Sequence, residues 1–148
     1  MTASLIELYH RDLDRLGYEI ESYQSEAALW SIDKNISNSG GTLALHILGN
    51  LNHFIGAVLG NTGYVRDREA EFNDRDIPRT KIVEDIASLK ISIETTLTGL
   101  SSETLDSTYP ISIRKEAMSV RQFLFHLYGH LNYHLGQINY HRRLCDEC

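Results

Sequence analysis

The chain has 148 residues, 42% of them hydrophobic and 23% charged, which are the proportions of one globular domain rather than of a disordered or fibrous protein. Its 14 basic and 20 acidic side chains give a formal net charge of −6, and this balance argues against a nucleic-acid-binding protein, because phosphate contacts call for a basic surface. No apolar run approaches the ~20 residues that span a bilayer, and segment 1–15 contains no apolar signal region. We therefore expect a single cytoplasmic domain over 1–148, with neither a membrane nor a nucleic acid as partner.

Apolar residues that recur every three or four positions predict four long helices. A polar connection over 61–79 separates the second helix from the third, and it is longer than the ~2–8 residues that usually join packed helices. Between the third and fourth helices, 109–113 is predicted as a short extended piece. The sequence therefore predicts an all-α four-helix bundle with a long crossover between helices 2 and 3. The helices are expected near 2–24, 41–60, 80–98 and 119–144.

The second predicted helix is apolar on two opposite sides. A helix of this kind is buried on both sides, and a small bundle has only one core. The second apolar face therefore predicts a homodimer that forms through helix 2. That face consists of Leu45, Leu48, Ile55 and Leu59.

Six of the seven histidines lie in the second and fourth predicted helices. His130 and His134 are four positions apart on one face of the fourth helix, which is the spacing with which a helical motif holds zinc. No Glu lies between them, so the general base of the metalloprotease form of that motif is missing. A third imidazole is available from His46 or His53 on helix 2, or from His126 on helix 4. Three neutral imidazoles leave a coordination position open on a divalent ion, as catalysis requires.

Other interpretations of the polar residues stay open at this point. A polar stripe in a bundle can be an interhelical hydrogen-bond network, and His10, His53 and His141 are more simply explained as hydrogen-bonded core residues. A di-iron bundle needs two Glu-x-x-His pairs, and Glu7-x-x-His10 is the only one, so a ferritin-like site is not expected. Haem ligation by a histidine pair is compatible with the spacing, although the sequence has no haem-attachment motif. The C-terminal Cys-x-x-Cys is interpreted as two reduced thiols without a role.

Three segments resemble the DinB/YfiT-like superfamily, and within it a small bacterial branch: LALHILGNL over 43–51, RDREAEF over 66–72 and HLNYHLGQI over 130–138. The resemblance covers most of the chain. It implies a four-helix bundle with a crossover, usually dimeric. It also implies a divalent metal ion, typically nickel or zinc, held by three histidines. In this sequence those ligands are His46, His130 and His134.

The same resemblance implies an activity. Characterised relatives include S-transferases of low-molecular-weight thiols, so we expect a metal-dependent transferase that joins such a thiol to a small electrophilic substrate. Hydrolysis at the same open site is a second enzymatic option, and a non-catalytic metal-binding or stress-related interaction protein is the alternative. Residues expected to support the ligands by hydrogen bonding are Asn50, His53, His126 and Gln137, and those expected to bind an anionic part of the substrate are Arg66 and Arg68.

Overall fold

The computed structural model describes residues 1–33, 35–112 and 117–145, and over these ranges its regular structure is helical, as predicted. The four longest helices are α1 (Thr2–Glu21), α3 (Gly40–Leu51), α5 (Arg79–Thr98) and α7 (Val120–Cys145). The short helices are α2 (Glu26–Trp30), α4 (Arg68–Asn73) and α6 (Ser102–Asp106). Within the same ranges, none of the helices combines the length and the apolar character that a membrane crossing requires.

Buried apolar residues of the four long helices form one core. α1 contacts α5 and α7, and α3 contacts the same two helices. α3 and its continuation run antiparallel to α7, because the ring of His46 lies against that of His130 whereas Phe54, further along the chain, lies against Phe123. The apolar stripe predicted for α5 faces the core, and all of its members are buried: Ile82, Ile86, Leu89, Ile93 and Leu97.

The second predicted helix, 41–60, is not one continuous α-helix. α3 ends at Leu51, and a π-helix over Asn52–Ala57 follows it directly. The N–H of Val58 donates to the C=O of His53 at 3.0 Å, five residues back instead of four. Because a π turn contains more residues than an α turn, side chains beyond Leu51 are rotated from their α-helical positions. Ile55, predicted on the second apolar face, is therefore buried in the core.

The connection over 61–79 folds back onto α3. Its short helix α4 contacts α3, and Leu48, a member of the second apolar face, is buried. Leu45 and Leu59 are partly buried against the core. The second apolar face is thus largely covered by the chain itself. The homodimer through helix 2 stays a prediction that this packing does not require.

The predicted extended piece over 109–113 is described only as far as residue 112. The N–H of Tyr109 donates to the C=O of Met118 at 2.8 Å, and Thr108 forms an isolated antiparallel bridge with Ser119. These contacts tie the segment after α6 to the start of α7. The remainder of the predicted piece lies outside the described residues.

Two buried carboxylates of α1 hold this helix against α7. Asp12 accepts a hydrogen bond from the hydroxyl of Tyr128. Two turns further along, Glu19 accepts hydrogen bonds from Nδ2 of Asn139 and from Nε of Arg142, both at 2.6 Å. Buried carboxylates are tolerated where such partners replace water.

Candidate metal centre

Three histidine side chains meet where α3 faces α7. Nε2 of His130 lies 3.3 Å from Nε2 of His46 and 3.0 Å from Nε2 of His134. One ring nitrogen from each residue lies within 4.8 Å of those of the other two. His46 is buried, and the other two side chains are half-buried. The three histidines that the resemblance points to are therefore close enough together to hold one metal ion.

Glu71, on α4, fixes the orientation of His46. Its Oε2 lies 3.0 Å from Nδ1 of that ring. Burial acts to raise the pKa of Glu71, but hydrogen bonds from His46 and Arg66 outweigh it and hold the pKa below its usual value. Glu71 is consequently a carboxylate at neutral pH and can only accept, so Nδ1 of His46 carries the proton and donates it. Nε2 then presents its lone pair to the other two histidines.

The position of Glu71 is set by two residues that precede α4 and by one residue of α3. Asp67 caps α4 by accepting the N–H of Ala70 at 2.9 Å. Arg66 makes a bidentate pair with Glu71, with Nε 2.6 Å from Oε1 and Nη2 2.9 Å from Oε2. Gly49 of α3 provides the space, because a Cβ at that position would lie 2.0 Å from Oε1. The missing Cβ of Gly49 thus leaves room for the Glu71 carboxylate against α3.

Gln137 orients His134 in a similar way. Its Oε1 accepts the Nδ1–H of His134 at 2.7 Å, so Nε2 of His134 also presents a lone pair. A neutral His130 has one ring proton, which it can donate to only one of the two Nε2 atoms that face it. A cation can bind all three Nε2 atoms at once. Tetrahedral zinc with Zn–N distances of about 2.0–2.1 Å separates its ligand nitrogens by about 3.3 Å. The two separations from His130, 3.0 and 3.3 Å, are close to this value, and the three ring nitrogens all lie within 4.8 Å of one another, which is close enough for one divalent ion.

His130 and His134 are uncharged at neutral pH. Burial, and then the neighbouring rings of His134 and His46, lower the pKa of His130 to about 4. Burial also lowers the pKa of His134, against the opposing effect of its hydrogen bond with Gln137. Because the neutral imidazole is the form that ligates a metal, neither ring has to lose a proton before an ion binds at pH 7.

The other residues predicted to support the ligands occupy different positions. Gln137 is hydrogen-bonded to His134, a histidine of the cluster. Oδ1 of Asn50 and Nδ1 of His53 are buried and find no hydrogen-bond partner among the described residues. The ring of His126 stacks on Phe123, with centroids 5.7 Å apart. A supporting role for these three residues remains a prediction.

The two arginines predicted to bind an anionic group differ in their surroundings. Arg66 is paired with Glu71, and its Cζ lies 5.6 Å from the ring centroid of Phe54. Arg68 is exposed, and its Cζ lies 5.8 Å from the ring centroid of Phe72. Arg66 therefore supports the carboxylate that orients His46, whereas anion binding by either arginine stays a prediction.

Of the three histidines interpreted as hydrogen-bonded core residues, His10 and His141 each contact a backbone carbonyl, whereas Nδ1 of His53 has no partner among the described residues. Nε2 of the buried His141 lies 2.9 Å from the carbonyl oxygen of Ser31. Nε2 of His10 lies 3.2 Å from the carbonyl oxygen of Lys90. In the C-terminal cysteine pair, Cys145 is buried at the end of α7, and its companion lies outside the described residues.

Glu71 is the important residue that the sequence reasoning missed. Helical spacing identifies residues that share one helix face, and Glu71 comes from the 61–79 connection instead. The signal that could have found it is local. Asp67 is a cap residue that starts a short helix, and the acidic side chain four positions later lies one turn into that helix.

Over residues 6–147, the sequence matches the family described as Protein of unknown function (DUF1572). The chain belongs to this family. No curated protein and no solved structure matches the chain. In this DUF1572 chain, the matched range contains the three clustered histidines together with Gly49 and Glu71, so the candidate metal centre lies wholly inside the family's region.

Proposed function

We propose that this DUF1572 protein binds a divalent metal ion through His46, His130 and His134, within a four-helix bundle of the DinB/YfiT-like type. The observation that carries the proposal is the convergence of three Nε2 atoms. Nδ1 of His46 is hydrogen-bonded to Glu71, and Nδ1 of His134 is hydrogen-bonded to Gln137. The Nε2 lone pairs of these two rings therefore face the common point. Such an arrangement is what metal-ligating histidines require, because the outer hydrogen bond selects the tautomer.

Zinc and nickel are the ions we propose for this site. Imidazole nitrogen suits both metals, and no carboxylate or thiolate joins the three-histidine group within the described ranges. Three protein ligands leave at least one coordination position for a molecule from solution. A bound ion there supplies Lewis acidity, which lowers the pKa of a thiol or a water molecule that it coordinates.

We propose further that the site transfers a low-molecular-weight thiol to a small electrophile. The thiol loses its proton to solvent, its sulfur attacks the electrophilic carbon, and the leaving group departs with the electron pair of the broken bond. The chain contributes ligands that are uncharged, since the pKa values of His130 and His134 are lowered. Uncharged ligands add no negative charge beside the position that an anionic thiolate would occupy.

Zinc titration tests the metal proposal. Protein stripped with a chelator should bind one zinc ion per chain in isothermal titration calorimetry. His46→Ala and His134→Ala each remove a ligand and should weaken binding by more than about 100-fold. His10→Ala, outside the cluster, is the control. Zinc affinity equal to that of the parent in both ligand variants would show that the rings form only a hydrogen-bond network.

A thiol screen tests the activity. Zinc-loaded and nickel-loaded protein is mixed with a panel of low-molecular-weight thiols and 1-chloro-2,4-dinitrobenzene, and formation of the thioether is followed by absorbance. Turnover that requires the metal and is lost in His134→Ala supports a transferase. If the loaded protein gives no turnover with any thiol of the panel, the non-catalytic metal-binding alternative replaces the transferase.

A further inference from the structure

A cavity of about 410 Å³ lies against the C-terminal half of α7, and we call it the α7-end cavity. Among the described residues that line it there is no Asp, Glu, Lys or Arg. Its apolar walls come from α7, from α3 and from the segment that joins α2 to α3: Tyr140, Leu144, Leu43 and Ile36. The volume falls within the ~300–1,000 Å³ that is usual for small-molecule sites. The α7-end cavity therefore fits an uncharged, largely apolar ligand.

Two lining residues place the α7-end cavity next to the candidate metal centre. Gln137 lines the cavity, and its Oε1 accepts the Nδ1–H of His134 at 2.7 Å. Leu43 also lines it, and lies three positions before His46 on α3. Along the two helix axes, the cavity thus begins within one turn, ~5.4 Å, of two of the three histidines.

Gln137 has a donor left for a ligand. Within the described ranges, its one hydrogen bond uses Oε1, so the Nε2 group of the same amide is free to donate. A ligand with an oxygen acceptor matches this group. Carbon electrophiles are activated by electron-withdrawing groups such as carbonyl or nitro, and the oxygens of these groups accept hydrogen bonds. The donor of Gln137 therefore favours an uncharged electrophile of this kind.

Other cavities of similar volume match such a compound less well. The cavity between α1 and α5 and the cavity beside α4 are each lined by four charged side chains, which stay hydrated at low cost and bind apolar groups poorly. A cavity between α5 and segment 59–62 has no charged lining residue among those described, but none of its lining residues bonds to the three histidines. The α7-end cavity combines an uncharged lining with a hydrogen bond to the candidate metal centre.

We propose that the α7-end cavity binds the electrophilic substrate, an uncharged apolar compound whose carbonyl or nitro oxygen accepts a hydrogen bond from Nε2 of Gln137. This inference rests on the transferase function proposed above. As the sulfur bonds to the electrophilic carbon, electrons shift onto that oxygen, and the leaving group then departs with the electron pair of the bond that breaks. The proton of the thiol goes to solvent. Donation from Gln137 stabilises the negative charge that develops on the oxygen.

Equilibrium dialysis of the purified chain without thiol tests the ligand class. The ligand is 2,4-dinitrotoluene, which has two nitro groups but no leaving group and so cannot react. It should bind at one site per chain, whereas 2,4-dinitrobenzoate, which has a carboxylate in place of the methyl group, should bind at least about tenfold more weakly because the cavity offers its charge no partner. No binding of 2,4-dinitrotoluene, or equal binding of both compounds, would overturn the proposal.

Tyr140→Gln tests the location. Tyr140 is 70% exposed, so its replacement should not disturb the core, but the loss of an apolar wall should weaken binding of 2,4-dinitrotoluene about fivefold. Tyr133→Gln is the control, because Tyr133 is 64% exposed on the same helix and does not line the cavity. An equal effect of the two substitutions would contradict the location.

Gln137→Glu tests the hydrogen bond separately from the metal centre. The new carboxylate still accepts the Nδ1–H of His134, so zinc affinity should not fall, but it has no N–H to donate. Relative to 2,4-dichlorotoluene, which has no oxygen acceptor, 2,4-dinitrotoluene should bind about fivefold more weakly than it does to the parent. An unchanged ratio of the two affinities would overturn the role of Gln137 as donor.

The thiol screen separates this inference from the transferase function. If thioether forms but the KM for 1-chloro-2,4-dinitrobenzene is the same in Tyr140→Gln as in the parent, the cavity is not the electrophile's site and the transferase function stands. If no thioether forms although 2,4-dinitrotoluene binds as expected, the transferase function fails, and with it the role of the bound compound as a substrate.

Discussion

The hydrogen bond between Glu71 and His46 joins the 61–79 connection to the candidate metal centre. Loss of such an outer partner typically weakens metal binding 10- to 100-fold, because the ligand loses both its fixed tautomer and part of its basicity. We expect Glu71→Gln to weaken zinc binding about 10-fold and Glu71→Ala up to about 100-fold. Competition with a chromophoric chelator measures this, with Glu69→Gln, exposed on the same short helix, as the control. A Glu71→Ala variant with the parent's affinity would contradict the positioning role.

Gly49→Ala tests the same role without removing a polar group. The new methyl would lie 2.0 Å from Oε1 of Glu71, so the carboxylate has to shift from the position in which it bonds to His46. We expect zinc affinity to fall about as far as in Glu71→Ala, although alanine favours the helix by up to about 1 kcal/mol. Isothermal titration calorimetry measures the zinc affinity, and thermal melting measures the stability of the fold. An unchanged affinity would mean that Glu71 keeps its hydrogen bond by moving as little as the methyl requires.

Residues of the candidate metal centre could be predicted from the sequence where they lie on the same helix. The spacing of His130 and His134 identifies the pair, since positions four apart always share a helix face. His46 followed from the resemblance, because the sequence alone left His46, His53 and His126 open. Glu71 could not be reached by spacing, since its contact with His46 depends on how the connection folds over α3.

How well each helix could be predicted depended on how regular its apolar spacing is. α5 is predicted closely, because its stripe is uninterrupted and faces one core. The second helix is predicted only in part. The π-helix over Asn52–Ala57 could not be predicted, because Phe54 and Ile55 are both apolar and their spacing does not show which of them enters the core. α4 is too short to show a period of its own, and its polar sequence resembles that of a loop.

Asp12 of α1, which bonds to Tyr128 of α7, is a carboxylate at neutral pH. Burial acts to raise its pKa, but hydrogen bonds from Arg11, Tyr128 and Asn132 outweigh it and lower the pKa from 3.8 to about 2. Because the pKa is lower in the folded state, the carboxylate stabilises the fold at pH values above its unfolded pKa. That contribution is lost as the pH falls through the folded value. The shift corresponds to about 2 kcal/mol.

Asp12→Asn should therefore lower the free energy of unfolding by about 2 kcal/mol at pH 7. The difference from the parent should shrink as the pH falls from about 4 to about 2, because the parent's carboxyl becomes protonated there. Urea denaturation over this pH range measures it, and Glu7→Gln, exposed on the same helix, is the control. A difference that does not change with pH would show that the carboxylate's charge is not what holds the two helices together.

For the whole molecule, an ion at the three histidines would join α3 to α7. Binding to the folded state alone stabilises it by about 2.7 kcal/mol when free ligand is 100 times the dissociation constant. For a chain of this size we expect zinc at that concentration to raise the melting temperature by roughly 5–10 °C. Scanning calorimetry should show the rise in the parent, its reversal by a chelator, and no rise in His130→Ala. An equal rise in that variant would place the stabilising ion elsewhere.

X-ray absorption at the zinc edge tests the three-histidine site most directly, because it counts the ligands around the ion. Zinc-loaded parent protein should show three imidazole nitrogens at about 2.0–2.1 Å, with any remaining ligand a light atom from solvent. His134→Ala, if it retains zinc at all, should show two imidazoles. A parent spectrum with fewer than three imidazoles, or with sulfur in the shell, would contradict a centre built from His46, His130 and His134.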